Sequence, residues 1–260
     1  MSERITRCRE VMDDHRICVV IPTYNNASTL LDVLARVYMY SPDIIVVNDG
    51  STDNTESILQ DFCDATGHAV TVVSHSSNKG KGAALLTGFS TAKSLGFSYV
   101  VTIDSDGQHF PEDLPSIVAY HSKYPRAIIV GQRDINARNM PGSNSFANKF
   151  SNFWFWVETG KRLADTQTGY RLYPLDAVFW ERFITSRYEA ELELMVYASW
   201  HGVQLVQTPI RVLYAPAGQR VSHFRPGLDF TRISILNSLL CFFTVTYAWP
   251  VRLFRKIFRK

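Results

Sequence analysis

Val100-Val101-Thr102-Ile103-Asp104-Ser105-Asp106-Gly107-Gln108-His109 is an apolar run that stops at two carboxylates one residue apart. It reads as a buried strand opening into a polar loop. Residues at i and i+2 of an extended segment point to one side, so Asp104 and Asp106 converge just past the strand end. Carboxylates held that close repel each other unless a cation lies between them. A hard divalent ion bound through one or two carboxylates, with its other positions left to water and phosphate oxygens, is the arrangement magnesium and manganese use on nucleotides. Gln108 can add a neutral oxygen on the same face. A lone Asp-x-Asp also fits an ordinary polar turn, so the surrounding loops decide between the two.

Upstream, strand and helix patterns alternate. Ile17 to Ile21 reads as a strand closed by Pro22, and Thr23 to Ser28 as a polar loop capping a helix with Leu30, Leu31, Leu34, Val37 and Tyr38 on one face. Ile44 to Val47 is a second strand, ending at Asn48-Asp49-Gly50-Ser51-Thr52-Asp53 before a helix bearing Ile58, Leu59 and Phe62. Val70 to Val73 is a third, followed by Asn78-Lys79-Gly80-Lys81-Gly82 and a helix striped with Leu85, Phe89, Ala92 and Leu95, ended by Gly96. Such alternation predicts right-handed crossovers and a mostly parallel sheet. Ligands of such sheets sit outside the carboxyl ends of the strands, where the loops at Pro22, Asn48, Ser74 and Asp104 all emerge.

Downstream, Ala127 to Val130 predicts one more strand, leading into Gly131-Gln132-Arg133. After a Pro141-Gly142 turn, Phe146, Phe150, Phe153, Trp154 and Val157 recur at helical spacing and predict a helix whose aromatic face covers the sheet. Asp165 to Arg171 reads as a polar loop. A helix from Glu189 to Trp200 and a strand over Val203 to Pro209 follow. Residues 1 to 16 are polar and charged and read as a frayed extension without the features of a signal peptide.

The 260 residues are 46% hydrophobic, enough for one substantial core. Four scattered cysteines lack metal-ligand spacing and point to a reducing, cytoplasmic setting. The net charge of +3 is concentrated in the tail: six basic and no acidic residues follow Asp229, leaving 21 basic against 24 acidic residues up to and including it. A nucleic-acid-binding domain would spread its basic residues over a folded face, so that class is set aside. Within the tail, Ile233 to Val251 is an uncharged run with Leu236, Leu239, Leu240, Phe243 and Tyr247 toward one face, Trp249 near its end and five basic residues after it. This predicts a helix lying in the interface of an anionic membrane, with Arg220, His223 and Arg225 of the preceding loop able to meet a lipid headgroup or phosphate.

On the predicted sheet edge, Asp49 can accept from a ring N–H of a nucleobase whose face Tyr24 covers, and Lys79 and Lys81 can reach phosphate oxygens. Together with Asp104 and Asp106 these loops describe a pocket for a nucleoside diphosphate. Val-Val-Ile-Pro-Thr-Tyr-Asn at 19 to 25, Val-Val-Asn-Asp-Gly-Ser-Thr-Asp at 46 to 53, Asn-Lys-Gly-Lys-Gly-Ala at 78 to 83 and Ile-Asp-Ser-Asp-Gly-Gln-His at 103 to 109 resemble, in order, the motifs of family 2 glycosyltransferases. The similar branch holds dolichyl-phosphate mannose synthases and bacterial polyprenyl-phosphate glycosyltransferases.

The resemblance implies a GT-A fold, α/β with helices on both faces of a mostly parallel sheet, and an inverting transfer from a nucleotide sugar to a lipid-linked acceptor. It implies that Pro22, Tyr24, Asn26 and Asp49 line base and ribose, and that Asp104, Asp106 and Gln108 hold Mg2+ or Mn2+. Arg133 and Lys149 would meet the acceptor, Lys149 standing where the branch usually has Arg, with Arg220 beside them. For a phosphate acceptor no strong base is required; for a hydroxyl acceptor Asp165 is the nominated base, its other reading being a carboxylate that orders its loop through Thr168 and Arg171. Glu193 resembles a helix glutamate of the branch. The expected division is an extension at 1–16, a nucleotide-sugar-binding half at 17–120, an acceptor-binding half at 121–229 and a membrane-associating tail at 230–260. The expected location is the inner face of the plasma membrane, on a path of cell-envelope glycan synthesis. A nucleotidyltransferase would open with a glycine-rich basic loop after the first strand, which Pro22 to Asn26 lacks, and a non-catalytic adaptor would not need the intact carboxylates.

Overall fold

In the computed structural model, which describes residues 3–67, 70–134, 142–177, 184–214, 226–251 and 254, the chain forms one seven-stranded sheet flanked by helices. The elements in chain order are α1 (Glu3–Asp14), β1 (Ile17–Thr23), α2 (Ala27–Tyr38), β2 (Ile44–Asn48), α3 (Thr55–Ala65), β3 (Val70–Ser74), α4 (Lys81–Ser94) and β4 (Tyr99–Thr102). There follow α5 (Leu114–Lys123), β5 (Ile128–Gln132), α6 (Gly142–Thr159), β6 (Arg171–Pro174), α7 (Ala190–Trp200), β7 (Leu205–Pro209) and α8 (Pro226–Phe243), the last continued by a π-helical turn over Thr244–Ala248. The sheet order is β3-β2-β1-β4-β6-β5-β7. β1 pairs in parallel with β2 and β4, β2 with β3 and β5 with β7, while β6 runs antiparallel between β4 and β5.

Alternation along β1 divides the core. Ile17, Val19 and Ile21 pack with α1, α2, α3 and α5, whereas Cys18 and Val20 pack with α4, α6, α7 and α8. Fully buried strands with helices on both faces read as continuous apolar runs, which is why β1, β2 and β4 are legible without an alternating pattern.

Several expectations are corrected. Residues 3–14 are not frayed: Cys8 and Met12 are buried, and the Arg9 guanidinium donates to the carbonyls of Tyr38 and Met39. β1 continues through Pro22 to Thr23. Its pairing with β4 ends at Val20–Thr102, and Val20 bonds toward β4 while Thr23 accepts from Asp49 on the β2 side, so the missing N–H of Pro22 falls where the ladder has ended. On α2, Val33 is buried and Leu31 exposed; Leu95 is likewise exposed just beyond α4. The strand β6 lies where only a loop was read as far as Arg171.

The largest departure is α6. Asn148, Ser151, Phe155 and Glu158 form its buried stripe, and Phe146, Phe153 and Trp156 are exposed. Hydrogen bonding outcompetes apolar burial here, because Asn148 donates to Asp165 at 2.6 Å and Thr166 donates to Ser151 at 2.8 Å. The aromatic face therefore does not cover the sheet. On α8, similarly, Leu236, Asn237, Leu240, Thr244 and Ala248 are buried, while Leu239, Phe242, Phe243, Tyr247 and Trp249 are exposed. The Phe150 and Phe230 rings lie tilted against each other with centroids 5.3 Å apart and Thr244 donates to the Glu158 carbonyl, so α6 and α8 lie side by side.

Candidate active site

The loops after β1, β2, β3 and β4 meet at the carboxyl edge of the sheet. Asn25, held at φ +51°, exchanges hydrogen bonds with Thr52 and donates its backbone N–H to the Ser51 hydroxyl. Asn26 donates to Ser105 at 2.7 Å rather than capping its own helix, and the N-terminal amide of α2 is met by Asp53 from the neighbouring loop. Ser105 in turn donates to the Pro22 carbonyl. Pro22 and Asn26 are thus buried parts of one scaffold, with Tyr24 half-buried beside them.

Asp104 and Asp106 leave β4 half-exposed at the centre of this edge. The Lys81 ammonium lies 2.7 Å from Asp104 Oδ1 and 2.9 Å from Glu191 Oε2, and His109 Nδ1 lies 3.9 Å from Asp104 Oδ2. Burial works against ionising Asp104, but Lys81 outweighs it and holds the carboxyl below its ordinary range. Burial likewise opposes the charge on Lys81, and Asp104 and Glu191 more than restore it. Asp106 differs: burial, then the Asp104 charge, push it up to about 6, with the amide of Gln108 donating to Oδ1 at 2.9 Å as partial relief. Burial pushes His109 down to about 4, so its imidazole is neutral near pH 7.

Gly169 completes the cradle. Thr102 donates to its carbonyl at 2.7 Å, and a Cβ on Gly169 would stand 2.4 Å from Asp104 Oδ2. Only a hydrogen fits there.

Asp104 and Asp106 with Gln108 offer hard oxygen donors, one carboxylate still carrying uncompensated like-charge repulsion. Among the described residues no cluster of three or more His, Cys, Asp or Glu forms an all-protein cage. That donor set fits a Mg2+ or Mn2+ ion that takes its remaining ligands from a diphosphate, the usual habit of these ions.

The Asp49 assignment changes in kind. Its carboxylate is 3% exposed and accepts from the amides of Lys79 and Gly80 at 2.9 and 2.8 Å and pairs with His75 Nδ1 at 2.7 Å. It braces the lysine loop instead of standing open to a base. Lys79 itself is exposed.

Across the site, Asp165 is wholly buried and accepts five N–H groups: the amide, Nε and Nη2 of Arg133, the Asn148 amide nitrogen and the Gln167 backbone. Burial opposes its charge, but Arg133 holds its pKa below the usual carboxylate range. The nomination of Asp165 as a general base is therefore corrected: it is saturated and serves to fix Arg133. Asp165→Asn is expected to leave Arg133 poorly paired and to destabilise the protein by about 3–5 kcal/mol, as for other broken buried pairs. A melting temperature equal to the parent's, combined with lost transfer, would return Asp165 to the base role.

Glu193, also buried, accepts from the amides of Ile184 and Thr185 and so caps a loop. Lys149 is exposed on α6 beside Asn148. Arg220, with His223 and Arg225, lies outside the described residues. The sequence reading missed Glu191, His75 and the part played by His109. For Glu191 a signal existed: three glutamates, 189, 191 and 193, interrupt an otherwise apolar helix, and all three are buried.

Residues 18–175 match the family described as Glycosyl transferase family 2. The chain belongs to that family. It is 30% identical over 220 residues to the UDP-N-acetylglucosamine–dolichyl-phosphate N-acetylglucosaminyltransferase of Methanococcus voltae, covering 78% of this chain and 88% of that one. It is 31% identical over 209 residues to the polyprenol monophosphomannose synthase of Mycolicibacterium smegmatis, covering 77% and 78%. The glucosyl-3-phosphoglycerate synthase of Mycobacterium tuberculosis, solved with Mn2+ and UDP-glucose, superposes with a TM-score of 0.59 at 19% identity over 88% of this chain and 79% of that one. This family 2 glycosyltransferase thus has the GT-A arrangement, its motif loops at the carboxyl edge of the sheet.

Proposed function

We propose that the chain moves a glycosyl group from a nucleoside diphosphate sugar to the phosphate of a polyprenyl phosphate, inverting the anomeric carbon. The observation that carries the choice of acceptor is the saturated carboxylate of Asp165. A hydroxyl nucleophile needs a base within reach, whereas a phosphate oxygen is anionic at pH 7 and attacks without one. The two relatives named for dolichyl-phosphate and polyprenol monophosphomannose chemistry support the same choice.

In this reading an acceptor phosphate oxygen attacks the anomeric carbon, and the bond to the donor's diphosphate breaks with its electron pair leaving on the diphosphate oxygen. Asp104, Asp106 and Gln108 would hold a Mg2+ or Mn2+ ion, which neutralises the charge growing on that leaving group. Lys81, already at the carboxylates, and exposed Lys79 add to the same stabilisation. Pro22, Tyr24 and Asn26 form the wall for base and ribose. Arg133, immobilised by Asp165, and Lys149 receive the acceptor phosphate. The test is to incubate the protein with polyprenyl phosphate, Mn2+ or Mg2+ and a panel of nucleotide sugars, and to weigh the lipid product. A phosphodiester-linked glycolipid is expected; a product glycosylated on a hydroxyl and free of phosphate would overturn the choice of acceptor.

The bare faces of α6 and α8 support a membrane setting for the acceptor. The helical stretch Gly227–Val251 is 25 residues long and holds an 18-residue window of mean hydropathy 1.4, long and apolar enough to cross a bilayer. Yet Leu236, Leu240 and Ala248 pack on the domain, with 28% of the apolar window buried. A helix docked in this way lies with the protein on the membrane, and Phe146, Phe153, Phe242 and Trp249 would enter the interface. The basic residues after Val251 would meet anionic headgroups of the inner leaflet, each contributing about 1 kcal/mol near the surface. Full-length protein is expected to float with anionic liposomes at low salt and to retain part of that binding at high salt, with Phe242→Ser plus Phe153→Ser removing the retained part. No flotation at low salt would overturn this placement.

A further inference from the structure

We propose that His75 is a positioning residue for the donor's diphosphate, acting through Asp49 on the Lys79–Gly80 turn. This rests on the donor reading above and adds a residue to it. The imidazole is nearly buried just past the end of β3, with Nδ1 2.7 Å from Asp49 Oδ1 and Nε2 2.9 Å from the Thr87 hydroxyl. Its backbone amide donates to the Asn48 carbonyl at 2.8 Å. One side chain therefore ties together the loop after β2, the end of β3 and the second turn of α4.

What it holds in place is the approach to α4. The first amides of a helix and of the turn before it are a ready anion site, and phosphate-binding loops commonly use them. Here the amides of Lys79 and Gly80 are already taken by Asp49. From the other side Ser186 accepts from Ala83 at 2.9 Å, and Arg187 donates to Asn78 at 3.3 Å. Gly80, at φ +104°, leaves no room for rearrangement, since a Cβ there would stand 2.5 Å from Arg187 and 2.6 Å from the Ser186 carbonyl. With the Lys79 and Gly80 amides satisfied internally, the turn offers a diphosphate the lysine side chains it carries. Where those side chains stand depends on Asp49, and the orientation of Asp49 depends on His75. The same geometry makes Asp49 a brace for the diphosphate side of the pocket, so its loss and the loss of His75 should look alike.

The discriminating experiment measures binding of UDP, GDP and their monophosphates, with Mg2+ or Mn2+, by titration calorimetry. Thr87→Val removes the hydroxyl that fixes Nε2 with almost no change in volume, and Thr87→Ser keeps it. Loss of one hydrogen bond that aligns the imidazole is expected to weaken the preferred diphosphate about tenfold in Thr87→Val, with the matching monophosphate unchanged and Thr87→Ser at the parent affinity. His75→Gln should follow Thr87→Val more strongly; where it does not fold, the Thr87 pair decides. Parallel losses for diphosphate and monophosphate, or no loss for either, would overturn the proposal. Parent protein that binds neither diphosphate would overturn the donor reading itself, a separate result.

Discussion

Asp106→Asn is expected to abolish transfer, by a factor of at least about a thousand or roughly 4 kcal/mol of barrier, without loss of fold. The substitution preserves shape and keeps an Oδ1 to accept the Gln108 amide. What it removes is the charge that burial and Asp104 already oppose and that a bound cation would compensate. Because the side chain is half-exposed at a loop, little packing is lost and the melting temperature should hardly move. Excess EDTA should silence the unaltered protein, and Mn2+ or Mg2+ should restore it. Full activity in EDTA, or an active asparagine variant, would remove Asp106 from the centre of the chemistry.

Gly169→Ala is the second large effect, and it strikes a residue with no functional group. The added methyl would stand 2.4 and 2.7 Å from the two carboxylate oxygens of Asp104, so one of the two must move. The glycine is tied by the Thr102 hydrogen bond at its carbonyl, and Asp104 is tied by Lys81 at 2.7 Å. Asp104, the end of a short side chain, is the part that yields, and its displacement by an ångström is enough to cost about a hundredfold in rate. Activity and Mn2+ affinity should fall together while far-UV dichroism is kept. Unchanged Mn2+ affinity would mean that the loop, and not the carboxylate, had given way.

The donor side was legible because its chemistry lies in short loops at the ends of strongly apolar strands. Asp104, Asp106 and Lys81 needed only the parallel-sheet argument to be brought together, and the structure does bring them together. Asp49 was found but misread, since spacing says that a carboxylate ends β2 and cannot say that Lys79, Gly80 and His75 will claim it. Glu191 was passed over because it reaches the site from α7, more than a hundred residues of sequence beyond Lys81. On α6 the aromatic periodicity was real but pointed outward. The rule that apolar stripes face the core failed where Asn148 and Ser151 had buried hydrogen-bond partners waiting. α1 was missed for a simpler reason: Cys8 and Met12 are too few to raise a helical stripe above a charged background.

The interleaving of β6 bears on how such an enzyme could be recombined. β6 belongs to the later part of the chain, yet it sits between β4 and β5, pairing Arg171 with Thr102 on one side and with Val130 on the other. A break near residue 120 would leave β4 with a bare edge directly beneath Asp104, and an unpaired edge invites association with other chains. Exchanging the later part of the chain between relatives thus means transplanting a strand into the middle of a sheet, in register, with Gly169 arriving against the carboxylate. The later part of this fold is not a detachable module; a swap of sequence would have to proceed through a segment such as 133–165, which carries α6 and leaves β6 where it is.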